Sequence, residues 1–427
     1  MKKNGLLNKT LKIAVVLTVF VAIALISTGC GRSISYLNDE QNYTLNSARV
    51  VEGTDDRVYE IDYTADYKVN EFIDTITKDQ VYSTTDCRLI MKKLLAEKSS
   101  IIPSGRLSNS APGCSSVVCK NPEGVPVIGR NYDLDINSNG ATIVIHTAPQ
   151  DGYKSVGVAD GAQHGLSYKD LKDNTDNREL LLYAPYFTMD GVNEKGFACS
   201  IMLLNEGSTV QYSEKKWLPS TLVVRYLLDH ADSVNNAIEL LNEKDFRNDY
   251  LIDPIMSLAS DISFHWALTD ASGDKAIIEY VNGQMIVNKY PLKVQYNEND
   301  DTMQVEYPGK ETGYLISTNF YVSEGFNNTK GDTGKWRYET LEKKMSENPT
   351  PTKNQLRDIM KSAKYYMNDK DFIAEMKKMG LDPSISKNWS WITVWTDILN
   401  TSEHSLTLWS RENYEKENTF NLKYKAD

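Results

Sequence analysis

"APGCSSVVCKNPEGVPVIGRNYDLD", residues 111–135, frames the reading of the whole chain. Two short β-prone runs, "SSVVCK" and "PVIGRNYD", flank "NPEG", whose Asn-Pro and Gly mark a hairpin turn. Antiparallel return brings the end of the second run beside the start of the first. Arg130 and Asp133 are thereby delivered next to Cys114. An isolated Cys at a strand start is most often a small buried residue. Here a neighbouring Arg favours the thiolate, and an Asp can hold an ammonium group, so Cys114 is also a candidate nucleophile. No histidine lies in a local motif that would make it the base. A chain cut between Gly113 and Cys114 would give that cysteine a free α-amine of pKa about 7.7–8.0. Nucleophile and base would then sit on one residue.

Upstream of this hairpin the chain reads as a leader and an accessory segment. "MKKNGLLNKTLK" is basic, "IAVVLTVFVAIALI" is apolar, and "STGC" closes with small residues, the order of a secretory signal peptide. The ending Leu-Ile-Ser-Thr-Gly-Cys resembles a bacterial lipobox, which makes Cys30 the expected lipidated first residue of the mature chain. Residues 1–29 are therefore expected to be a lipoprotein signal peptide, and the protein to be anchored by lipid at the extracellular face of a bacterial cell membrane. Residues 31–60 are polar and read as a tether, and 68–98 read as helical, with Ile90, Met91, Leu94 and Leu95 on one face. "SSIIPSGRLSNSAPG", 99–113, reads as a loop. If the chain is cut before Cys114, residues 30–113 are expected to be a tether and partly helical prosegment, and 114–427 the catalytic domain.

Downstream, hairpins alternate with helices. "LLLYAPYFTMDG" and "GFACSIMLL" flank "VNEKG", and "FHWALTDASGDKAIIEYVNGQMIVNKY" reads as three strands with an Asn-Gly turn. "STLVVRYLLDHADSVNNAIELLNEK" reads as two helices, "TKNQLRDIMKSAKYYMND" as another, and "WSWITVWTDILNTSEHSLTLWSR" as a hairpin. This pattern predicts an α+β fold with antiparallel sheets.

Several chemistries are disfavoured. The net charge of −11 opposes nucleic acid as a partner. The cysteines Cys30, Cys87, Cys114, Cys119 and Cys199 form no CxxC, and the five histidines form no HExxH. No GxxxxGK or GxGxxG occurs. No cofactor and no metal are expected.

Five motifs in order resemble the choloylglycine hydrolase family, the bile-salt hydrolases and penicillin V acylases, with acid ceramidase and N-acylethanolamine acid amidase as more distant relatives. They are Cys114-Ser115 followed by Gly129-Arg130-Asn131-Tyr132-Asp133; "DGVNEKGFACS" (190–200); "HWALTDASGDKAIIE" (265–279); "LISTNF" (315–320); and "WRYETL" (336–341). The resemblance implies an N-terminal-nucleophile hydrolase, an αββα four-layer sandwich with two antiparallel sheets, acting on linear amide bonds. It implies Cys114 as nucleophile, Arg130 beside the sulfur, Asp133 on the α-amino group, Asn319 as oxyanion donor and Arg337 as support. Bile-salt hydrolases carry a second Asn where this chain has Leu203; Asn205, two residues on and on the same strand face, is the candidate substitute. The implied partner is a small amide with an apolar acyl group, such as a conjugated bile salt, penicillin V or a fatty N-acyl amide. His265, Trp266, Cys119 and Cys199 read as structural. The competing readings are a non-catalytic surface lipoprotein that keeps the fold as a binding module, an acyltransferase using the same site, and a Cys-His peptidase, for which no local signature exists.

Overall fold

The computed structural model describes residues 33–104, 113–135, 138–204, 206–208, 214–247, 263–290, 293–297, 302–306, 313–328, 332–364, 366–367 and 391–423. Signal residues 1–29, Cys30 and Asn205 lie outside them. Among the described residues no helix is long and apolar enough to cross a membrane.

With strands numbered along the chain, a nine-stranded sheet runs β1 (Arg49–Val50), β2 (Val58–Tyr63), β5 (Thr142–Thr147), β6 (Ser155–Asp160), β7 (Thr188–Asn193), β8 (Ala198–Leu204), β11 (Ser263–Thr269), β12 (Lys275–Val281), β13 (Gln284–Asn288). A seven-stranded sheet runs β16 (Leu315–Ser317), β3 (Gly113–Lys120), β4 (Pro126–Asp135), β18 (Trp391–Asn400), β19 (Ser405–Ser410), β20 (Asn418–Asn421), with β17 (Tyr366–Met367) beside β18. Two ribbons complete the described strands: β9 (Lys216–Pro219) with β10 (Lys244–Arg247), and β14 (Lys293–Asn297) with β15 (Thr302–Glu306). Both large sheets are antiparallel except for the parallel pair β2–β5.

The sheets face each other through β3 and β4 against β8 and β11. Helix Val223–His230 covers β7 and β8, and the 3-10 segment Asp176–Phe187 covers β5 and β6. On the other side helices Asp332–Glu347 and Lys353–Ser362 cover β3, β4 and β18. The layers are αββα, the architecture expected from the sequence. Because β3 has the other sheet on one face and helices on the other, it is buried from Gly113 to Cys119, and only Lys120 is exposed. That explains why "GCSSVVC" shows no polar–apolar alternation.

Local chemistry explains most elements. The turn after β3 closes with Gly124 N donating to Asn121 O and Val125 N to the Asn121 side chain, and Gly124 takes a φ of +82° that a side chain would resist. Ser233 caps the helix Val234–Asn242, and Thr352 with Gln355 forms a capping box at Lys353–Ser362. Upstream of β3, Val69, Phe72, Ile73 and Ile76 form the buried stripe of helix Val69–Lys78.

Two expectations need correction. "LLLYAPYF" is 3-10 rather than strand, and β7 starts only at Thr188; Pro185 cannot donate to a ladder, so the run cannot be a central strand. Residues 31–60 are not a simple tether. Asn38 and Gln41 form a capping box for helix Asp39–Asn46, and β2 starts at Val58 inside the large sheet. The alternation of "VYEIDY" straddles the end of that stretch and was hidden by its polar flanks.

Candidate active site

The β3–β4 hairpin sorts its side chains by the two-residue period of the strand. Cys114, Ser116, Arg130 and Tyr132 point to the seam between the sheets; Asn131 and Asp133 point to the helical layer. Across the strands Cys114 pairs with Tyr132, Ser116 with Arg130 and Gly113 with Asp133. Gly129 faces helix Lys353–Ser362, where a Cβ would come 3.1 Å from Leu356 Cγ and Met360 Cγ. The glycine therefore lets the helix approach closely enough for Asn131 Nδ2 to donate to Met360 O at 2.8 Å.

Three elements converge on Cys114. Arg130 Nη2 donates to its sulfur at 3.3 Å. The Cys114 backbone N–H donates to Asn319 Oδ1 at 2.9 Å, just beyond β16. Arg337, on helix Asp332–Glu347, donates through Nη1 to the Cys114 carbonyl at 2.7 Å. The same guanidinium reaches Asp133 Oδ2 at 3.0 Å and Asn319 Oδ1 at 2.5 Å. Asp133 also accepts from Thr393 Oγ1 at 2.7 Å. Cys114 as a whole is 2% exposed.

In the uncut chain the Cys114 N–H donates to Asn319 rather than to Asp133. Asp133 instead abuts the preceding residue, since a Cβ on Gly113 would lie 2.9 Å from its Oδ2. Glycine before the cysteine is thus a steric requirement of this carboxylate.

A second row of groups holds Arg130. Its Nη1 pairs with Asp190 on β7, and Nη2 also donates to Ile201 O at 2.5 Å. Trp395 Nε1 donates to Asp190 at 3.3 Å, and its ring stacks on Tyr132 with centroids 4.0 Å apart. Asp397 lies opposite Arg130 on β18 and beside Asp190. The bulge between Thr393 and Trp395 supplies the extra residue that aims Thr393 at Asp133 and Trp395 at the opposite face.

The electrostatics follow from burial against these partners. Burial pushes the Cys114 thiol up, and Arg130 then Arg337 oppose it. Burial pushes the Asp133 carboxyl up to about 6 against the pull of Arg337 and Thr393. Asp397 is held well above the usual carboxylate range by burial and then by the charge of Asp190.

Asn319 is fixed from both ends. Its Nδ2 donates to Leu203 O at 2.6 Å, so the position that departs from the bile-salt hydrolase motif contributes its backbone. Its neighbour Thr318 accepts through O from His265 Nε2 at 2.7 Å. His265 Nδ1 lies 2.8 Å from Glu279, which also accepts from Val322 N and Ser323 Oγ. His265 therefore ties β11 and β12 to the loop that presents Asn319. Trp266 is fully buried, and Cys87, Cys119 and Cys199 are buried cysteines outside any disulfide, with Cys119 pushed up to about 12 by burial.

Residues 114–310 match the model of the family described as linear amide C–N hydrolases, choloylglycine hydrolase family. This segment is similar to the choloylglycine hydrolase family. A penicillin V acylase of Pectobacterium atrosepticum is 32% identical over 104 residues, 24% of this chain and 27% of that protein. A bile salt hydrolase/transferase of Clostridium perfringens is 25% identical over 180 residues, 41% of this chain and 50% of that one. The chain thus spans half or less of the length of these relatives. A solved conjugated bile acid hydrolase of Clostridium perfringens superposes at TM-score 0.46 and 14% identity, covering 72% of this chain and 92% of that one. A penicillin V acylase of Agrobacterium tumefaciens does so at 0.34 and 18%, covering 72% and 84%.

The choloylglycine hydrolase match begins on Cys114 itself and includes Arg130 and Asp133. Asn319 and Arg337 lie beyond it in sequence, yet both touch Cys114. Sequence reasoning passed over Asp190, although it opens the quoted "DGVNEKG" motif. It also passed over Thr393 and Asp397, which carry no local signal, because only the strand order places β18 against β4.

Proposed function

We propose that this chain is a hydrolase of linear amide C–N bonds in N-acyl compounds, with Cys114 as an N-terminal nucleophile freed by self-cleavage at Gly113–Cys114. We further propose that Cys30 carries a lipid that anchors it at the outer face of a bacterial membrane. The observation behind this reading is that the sulfur, nitrogen and carbonyl oxygen of Cys114 are each met by a different buried polar side chain. The backbone groups of any buried residue need partners, but a cysteine that merely filled a core would not need the Arg130 guanidinium on its sulfur.

In the proposed self-cleavage, the thiol adds to the Gly113 carbonyl. The C–N bond breaks as the thiol proton passes to the Cys114 nitrogen. Water then hydrolyses the thioester, leaving a carboxylate on Gly113 and a thiol and α-amine on Cys114. The amine replaces an amide nitrogen that could not act as a base, and its pKa of about 7.7–8.0 suits proton transfer near neutral pH. Asn319 Oδ1, already the acceptor for this nitrogen, holds it in place, with the Asp133 carboxyl beside the preceding Gly113.

Toward substrate, the thiolate adds to the acyl carbonyl while Arg130 faces the sulfur. Asn319 Nδ2 supplies an oxyanion donor, a contribution of about 3–4 kcal/mol in hydrolases of known energetics. The α-ammonium protonates the leaving amine. Water, deprotonated by the same amine, then hydrolyses the acyl thioester. The relatives are named for penicillin V and bile salts, so the substrates proposed are amides with a bulky apolar acyl group. Acyl transfer to a second amine is the alternative, because one relative is named hydrolase/transferase.

The deciding experiment is the mass and N-terminal sequence of the mature chain, with Cys114→Ala beside it. A new N-terminus at Cys114, absent from the variant, supports the reading. An intact chain that still hydrolyses conjugated bile salts, penicillin V or fatty N-acyl amides would overturn the amine as base. Labelling with radioactive fatty acid, lost in Cys30→Ala, tests the anchor.

A further inference from the structure

The proposed cut would separate residues 33–104 from the hydrolase segment, yet these residues are built into its large sheet. β2 pairs with β5 from Val58↔Thr142 to Tyr63↔Thr147. Ile143, Val144 and Ile145 of β5 are wholly buried. Without β1 and β2, β5 would be an open edge with a row of unpaired backbone groups.

Side chains interlock across the same boundary. Tyr63 donates to Leu182 O at 2.7 Å, and Tyr186 donates to Tyr67 O at 2.8 Å. Tyr67 donates to Asp229 Oδ1 at 2.7 Å, joining the buried Arg225–Asp229 pair. Trp217 Nε1 donates to Ile76 O at 3.2 Å, and Phe72 meets the Tyr186 ring edge-on at 5.2 Å. At the rim, Glu60 pairs with His146 and Lys423, and Asp62 with Lys423. None of these contacts uses residues 105–113. The bond to be cut lies at the start of β3, in the other sheet.

We propose that residues 33–104 stay docked on the hydrolase segment after the chain is cut before Cys114, as a permanent non-covalent subunit that supplies β2 to the large sheet. The mature protein would be a two-piece assembly, held at the membrane by whatever anchors its N-terminal piece. The inference takes its natural occasion from the processing reading, but the docking can be tested without it.

The test uses the full chain carrying Cys114→Ala, with a site-specific protease sequence replacing residues 105–112 and a C-terminal tag, extracted in detergent and cut. The expected result is equimolar co-elution of both pieces on size exclusion in high salt, with no loss of the N-terminal piece, because an apolar boundary outlasts screening of the rim ion pairs. The β5 amides should keep their slow hydrogen exchange after the cut. Separate elution, or fast exchange along β5, would overturn the proposal. The unaltered chain is run in parallel. If it is never cut at Cys114, the processing reading fails while the docking result stands; if the engineered pieces separate, docking fails whatever the unaltered chain does.

Discussion

Arg130→Lys is the sharpest probe of the proposed nucleophile. The arginine divides its fork: Nη1 pairs with Asp190, while Nη2 reaches both Ile201 O and the Cys114 sulfur. Lysine keeps the charge but offers one nitrogen on a flexible stem. The buried Asp190 carboxylate and the Ile201 carbonyl compete for that nitrogen, and the sulfur is the weakest acceptor of the three. The thiolate then loses a charge-assisted hydrogen bond worth about 1.5–3 kcal/mol. At 1.36 kcal/mol per decade, kcat should fall about 10–100-fold and the thiol pKa should rise by about 1–2 units. The assay is the rate of iodoacetamide alkylation of Cys114 in the cut protein across pH, with peptide mass spectrometry to separate it from Cys87, Cys119 and Cys199. Because charge is conserved, the melting temperature should move little compared with the rate. An alkylation profile in Arg130→Lys that overlays the parent would refute the assignment of Arg130 to the sulfur.

Asn319→Ala should lower kcat by about 100–1,000-fold if Nδ2 faces the oxyanion, with a smaller change in the alkylation profile; steady-state kinetics beside that profile check it. Glu279→Gln should slow turnover by disturbing the His265–Thr318 tie to Asn319 while leaving the thiol pH profile in place; a shifted profile would contradict that separation. Thr393→Val removes the hydroxyl on Asp133 and should raise a carboxyl already pushed up to about 6. A folded pKa above the unfolded value of about 3.9 means the native state binds the extra proton, so this group's stabilisation is present at low pH and is lost as pH rises through 6. The variant should therefore nearly match the parent in urea unfolding at about pH 5 and be about 1–2 kcal/mol weaker at about pH 8; an equal deficit at both pH values would contradict it.

The sequence disclosed those parts of the site that are local in the chain. The hairpin with Cys114, Arg130 and Asp133 is one supersecondary unit, and its period-two alternation already separates Arg130 from Asp133. What stayed hidden depends on strand order. Thr393, Trp395 and Asp397 reach the site because β18 lies beside β4, and a single bulge residue decides which of them faces which layer. Asp190 sat inside a quoted motif, yet its role needs the other sheet to close over β4. The β2 strand was missed for a different reason. Its alternating six residues lie among Asn- and Asp-rich flanks, and among the described residues its partner downstream of Cys114, β5, is parallel, a pairing that no short turn announces.

The division of labour between the two sheets bears on how the proposed activation would work. Every observed partner of Cys114 is in place in the uncut chain: Arg130 on the sulfur, Asn319 on the nitrogen, Arg337 on the carbonyl. These partners are gathered around the seam and the helical layer beside β3, while residues 33–104 are held at the far edge of the other sheet. Under the proposed processing, the cut leaves these anchors standing and changes the chemistry of one nitrogen, from an amide that cannot accept a proton to an amine that can. Activation would then require no refolding of the site, only the loss of the acyl group on Cys114. A site assembled in advance also accounts for the same residues serving both the cut and the later turnover, since the Gly113 carbonyl is the first acyl group presented to the thiol. Arg130→Lys should accordingly slow the appearance of the new N-terminus as well as turnover, whereas a variant that impairs only substrate binding should slow turnover alone.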